Sequence, residues 1–169
     1  MSMRVSGCVV IILMIYVFRS FHGEILSLEK GTAYTYFRNV ENLNDKIFYV
    51  RGIAHAVIGL FDETPGSTVF RIVIGRDLNK RTRLYRFNKK VNVTIQPELL
   101  LESNPTKFKP FWIKWTTDYF MFGAGSRVGE GMNFLSANNV TLRYMAVKTK
   151  PTYPIDYILD LSCSKVPIL

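Results

Sequence analysis

The chain has 169 residues and a formal charge of +9, with 48% hydrophobic and 14% aromatic residues. That balance excludes a disordered or fibrous chain and leaves enough apolar material for the core of one domain. Two cysteines and two histidines are too few for a disulfide scaffold or a zinc site built from such ligands.

From the N-terminus, Arg4 precedes an apolar run over residues 5–18. This is the pattern of a secretory signal peptide, and it falls short of the ~20 residues that a spanning helix needs. Residues 1–23 are assigned to the leader, with an uncleaved signal anchor as the alternative. Residues 24–169 then form a single domain that is extracellular and not integral to the membrane. Cys8 leaves with the leader. Cys163 remains as a buried thiol, a free thiol or a bridge to a partner chain.

Short β-like segments follow at 33–37, 47–50, 53–61, 69–74, 83–87, 91–95, 111–116, 119–122, 140–148 and 157–161. Turn signals separate them, among them Thr64-Pro65-Gly66-Ser67, Asn79-Lys80 and Gly129-Glu130-Gly131. No window of a dozen residues has a helical period; residues 97–102 allow one helical turn. The pattern predicts an all-β fold with few or no helices, an antiparallel sandwich or barrel, of which the jelly-roll-like β-sandwich is the reading carried forward. Segment 53–61 is apolar on both faces, as a central strand is, with His55 on a partly covered face.

The richest segment is 111–125. With Thr117-Asp118 as a two-residue turn, Ile113, Trp115, Phe120 and Phe122 share a core face. Trp112, Lys114, Thr116, Tyr119, Met121 and Gly123 share the other, with Trp112 opposite Gly123. Trp112, Lys114 and Tyr119 could stack on a sugar ring, since the apolar face of a pyranose packs on a π surface. The bland alternative is that a loop covers Trp112.

Phe-Trp-Ile-x-Trp followed by a turn and Gly-x-Gly resembles the farnesoic acid O-methyltransferase-like domain of arthropods and other animals. Other pieces resemble it in the same order: residues 55–60, residues 70–75 with Asn79, Lys80 and Arg83, and residues 142–149. The resemblance spans about 47–161. Arg76 and Tyr157 depart from it, standing where a glycine and a tryptophan are common. It implies a β-sandwich. By its name it also implies S-adenosylmethionine-dependent methylation of farnesoic acid, a step in sesquiterpenoid hormone synthesis.

The residues supply little of that chemistry. Gly123-Ala124-Gly125 follows a strand, but Glu130 to Asn133 make a poor helix and no βαβ pattern surrounds the loop. Turn geometry accounts for these glycines better. His55 lacks a Gly-x-Ser-x-Gly partner, and no Asp-x-Asp-x-Asp calcium loop exists. No catalytic residue, metal ligand or cofactor is assigned.

Residues 71–90 hold Arg71, Arg76, Lys80, Arg81, Arg83, Arg86, Lys89 and Lys90 against one carboxylate, Asp77. Arg76, Lys80, Arg81, Arg83 and Arg86 are candidate polyanion ligands; a solvated hairpin is the alternative. For a secreted chain the anion is a sulfated glycan or another anionic surface, not nucleic acid. Asn92-Val93-Thr94 and Asn139-Val140-Thr141 are glycosylation sequons. The first reading is therefore a secreted, non-catalytic module that binds carbohydrate or another extracellular ligand. The alternatives are the methyltransferase and a carrier of small apolar ligands.

Overall fold

In the computed structural model, residues 22–28, 33–63, 68–149 and 153–162 are described. They form two six-stranded sheets, and every strand pair is antiparallel. The strands are β1 (His22–Leu28), β2 (Thr35–Asn39), β3 (Asp45–Gly52), β4 (Ala56–Phe61), β5 (Thr68–Gly75) and β6 (Arg81–Arg86). They continue with β7 (Lys89–Thr94), β8 (Lys109–Trp115), β9 (Tyr119–Ala124), β10 (Met132–Ala137), β11 (Tyr144–Lys148) and β12 (Ile155–Ser162). The first sheet runs β1-β12-β3-β8-β9-β10 and the second β2-β11-β4-β5-β6-β7. This is the expected antiparallel sandwich.

Alternation builds the core. Phe70, Ile72 and Ile74 of β5 point inward from the second sheet and meet Phe111, Ile113, Trp115, Phe120 and Phe122 of β8 and β9 from the first. Phe70 stacks on Phe120 across the interface, 4.2 Å between ring centroids. The aromatic series continues through Phe111, Phe122 and Phe134. Tyr157 is also fully buried, and its hydroxyl crosses to the other sheet. There it accepts from the Val57 backbone N–H at 2.8 Å and donates to the Lys148 carbonyl at 2.9 Å. A phenol thus satisfies two backbone groups between β4 and β11 that would otherwise be buried without partners.

The 8–9 hairpin has the predicted register: Trp115 faces Phe120, Ile113 faces Phe122 and Trp112 faces Gly123. Two strands were not read from the sequence. β1 pairs with β12 and buries Leu26, and it spans the expected leader boundary. β10 is an edge strand with Phe134 buried and Leu135 63% exposed, so its apolar alternation is weak. Two predicted strands are shorter. His55 has φ 64°, which ends the extended run before Ala56. The Asn138 side chain donates to the Thr116 and Val140 carbonyls and accepts from Val140 N–H, so residues 140–143 form a loop, not strand. The helical turn expected at 97–102 is a 3₁₀ turn at Pro97–Leu99. Residues 76–79 make a tight left-handed link, with positive φ at Asp77, Leu78 and Asn79.

Candidate functional site

The outward face of the second sheet carries the most unusual chemistry. Because β5 alternates, Arg71 and Val73 point away from the core while Phe70, Ile72 and Ile74 point into it. Strand register then lines up neighbours. Ala146, Gly59, Arg71 and Tyr85 form one cross-strand row. Lys148, Val57, Val73 and Arg83 form the next.

Over these rows the side chains alternate cation and ring. The Lys148 ammonium lies 4.3 Å from the Tyr34 ring centroid. The Arg71 guanidinium lies 4.3 Å from that of Tyr85, and Arg76 donates to the Tyr85 hydroxyl at 2.6 Å. Gly59 makes the arrangement fit: a Cβ there would sit 2.5 Å from Tyr34 Cε1, so the ring rests on bare backbone. Val57, Val73 and Tyr85 form the buried floor.

The electrostatics follow from that crowding. Burial, and then the neighbouring Arg71 charge, push the Lys148 ammonium below the ordinary lysine range. Burial raises the Tyr34 phenol, while the neighbouring Thr68 side chain and the charge of Arg71 pull it partly back. Among the described residues no carboxylate forms an ion pair with Arg71 or Lys148.

The residues singled out from the sequence fall elsewhere. Trp112, Lys114 and Tyr119 do share one face, on the outside of the first sheet. Trp112, however, is not an exposed platform: it is completely buried, and its indole N–H donates to the Glu130 carbonyl. The loop after β9 folds over the ring, so the covered alternative holds. Lys114 and Tyr119 remain half-buried. In that loop Gly125, Gly129 and Gly131 have positive φ, and a strand follows it rather than a helix.

Three arginines of the basic run gather on one carboxylate. Arg76, Arg81 and Arg83 approach Asp77 at 3.5, 2.9 and 3.1 Å. Arg86 donates to the Asn139 side-chain carbonyl at 2.5 Å, and Lys80 is exposed. Asn139 is exposed, whereas Asn92 is half-buried on edge strand β7. His55 is buried and stacks on Tyr153 with ring centroids 5.7 Å apart. Cys163 and residues 1–21 lie outside the described residues.

Tyr34, Tyr85 and Lys148 were not found as site residues from the sequence, and Arg71 was counted only as part of a charge run. A usable signal was present for Arg71, a lone charge between apolar neighbours in Phe70-Arg71-Ile72. Its partners come from β4, β6 and β11, and only register brings those strands together.

Fold and surface together define an all-β sandwich domain with a cation–aromatic outer face. A family-sequence model described as farnesoic acid O-methyl transferase matches residues 29–162, and the chain belongs to that family. No curated protein matches it. Among solved structures it is similar to sheep galectin-11 in complex with glycerol, at 7% identity over 77% of this chain and 96% of that one, TM-score 0.46. It is similar also to Caenorhabditis elegans galectin LEC-6, at 6% identity over 79% and 94%, TM-score 0.45. A prokaryotic β-1,3-1,4-glucanase from a mouse hindgut metagenome is similar at 9% identity over 79% and 76%, TM-score 0.45.

Proposed function

We propose that this chain is a secreted, non-catalytic binding module that recognises extracellular carbohydrate through the outward face of the second sheet. One observation carries the reading: two tyrosine rings, Tyr34 and Tyr85, and two cations without a carboxylate partner among the described residues, Arg71 and Lys148, converge on one sheet face. Arg71 and Lys148 donate to sugar oxygens, the half-buried Tyr34 ring is the aromatic surface beside them, and the nearly buried Tyr85 ring holds the Arg71 guanidinium in place. The N-terminal apolar run after Arg4 and the two sequons support an extracellular setting.

A glycan array probed with the secreted protein tests this. Binding that is lost on Tyr85→Ala, with the fold retained, is the expected result. An array without signal, together with lipid retained through purification, would overturn it in favour of an apolar-ligand carrier. Stoichiometric binding of S-adenosylmethionine in calorimetry would overturn it in favour of methyl transfer.

A further inference from the structure

We propose that Arg71 and Lys148 are the two cationic ligands for the carboxylate or sulfate of an acidic sugar. This rests on the carbohydrate-binding reading above and specifies the charge of the ligand.

The argument begins with a contrast on one sheet face. Arg76, Arg81 and Arg83 share the Asp77 carboxylate, whose nearest approach is 2.9 Å. Arg71 and Lys148 stand on the same face, both half-buried, and no described carboxylate pairs with either. Partly desolvated like charges disfavour each other, and an external anion removes that cost. A planar guanidinium beside an ammonium matches an oxyanion, one offering a fork and the other a point charge.

The surroundings favour a sugar acid over a fatty acid. Val57, Val73 and Tyr85 are only 6, 7 and 8% exposed, so the floor offers little uncovered apolar surface to a hydrocarbon chain. Polar groups flank the two cations instead: the Tyr85 hydroxyl, which accepts from Arg76, and Arg83, in the same cross-strand row as Lys148. Gly59 lets Tyr34 lie against the sheet and keeps the site shallow, as a flat ring requires.

The test is calorimetry on the secreted protein with four probes: a uronic-acid hexasaccharide, its carboxyl-reduced counterpart, inorganic sulfate and laurate. The acidic hexasaccharide is expected to bind at least about tenfold more tightly than the reduced one. Arg71→Met and Lys148→Met should each erase most of that preference, weakening the acidic form far more than the reduced one. Lys89→Met, at an exposed position, should preserve the preference. Equal affinity for acidic and reduced forms would overturn this inference while the carbohydrate reading stands. No binding of either hexasaccharide would overturn both. Laurate or sulfate binding as tightly as the acidic hexasaccharide, with the same loss in Arg71→Met, would overturn the choice of a sugar. Should Arg71→Met fail to fold by thermal melting, the reduced-versus-acidic comparison on the unmutated protein and Lys148→Met decide the question.

Discussion

Adding a single methyl group at Gly123 should damage this domain more than its size suggests. A Cβ there would lie 2.4, 2.6 and 2.8 Å from Trp112 Cζ2, Cε2 and Nε1. Ordinary carbon contacts are about 3.5–4.0 Å, so the indole has to retreat by about 1 Å. It has little room, because the ring is fully buried and its N–H is held by the Glu130 carbonyl. Overpacking costs about 1–3 kcal/mol. Losing the indole hydrogen bond adds about 0.5–1.5 kcal/mol. The stiffer unfolded chain returns about 0.4–1 kcal/mol. The net is a loss of about 0.5–4 kcal/mol, or a fall in melting temperature of about 2–12 °C for a domain of this size. Thermal unfolding followed by near-UV circular dichroism reads it. The double variant provides the sharper check. Trp112→Ala alone should cost about 3–5 kcal/mol, as should Trp115→Ala, since both rings are buried. Once the ring is gone, Gly123→Ala should cost almost nothing, so the two changes are strongly non-additive. A Gly123→Ala melting temperature within about 1 °C of the native one, or simple additivity, would refute the packing argument.

Tyr157→Phe should destabilise the domain by about 1–3 kcal/mol in urea unfolding, because the Val57 N–H and the Lys148 carbonyl lose their partner; a loss under about 0.5 kcal/mol would contradict that. Asp77→Asn should raise the salt concentration needed to elute the protein from heparin, since three arginines lose their shared counter-charge; earlier or unchanged elution would show that Asp77 does not mask them. Asn139→Gln should remove a glycan and speed electrophoretic migration of the secreted protein, because Asn139 is exposed; unchanged migration would disprove occupancy.

Much of the fold was legible because both sheets alternate strongly where they face each other. The hairpin from Phe111 to Ala124 could be registered residue by residue, since its turn fixes which residues pair and its apolar face permits no slip. Edge strands were harder. β10 buries Phe134 but exposes Leu135, and the glycines before it read as a turn. β1 follows the apolar run of residues 5–18, whose composition dominates that part of the chain. The breaks at His55 and at Asn138 are set by one positive φ and by one side chain that hydrogen-bonds neighbouring backbone. Neither leaves a mark in hydrophobic periodicity.

The candidate site was less legible for a related reason. Alternation within one strand told which side of the sheet Trp112 and Arg71 occupy, but not what covers that side. For Trp112 the covering group is the Glu130 loop, and the glycines that suggested a cofactor loop serve this packing. Gly123 admits the indole, and Gly125 admits the Glu130 side chain, whose Oε2 would lie 2.5 Å from an added Cβ. Once those glycines are explained by steric fit, they no longer argue for nucleotide chemistry. The weight of the functional argument therefore moves to the opposite side of the molecule. There, Arg71 keeps its charge in a strand that is otherwise almost wholly apolar, stacked on Tyr85 and without a carboxylate partner among the described residues. A methionine at that position would cover Tyr85 as well as the arginine does, without the cost of a half-buried cation.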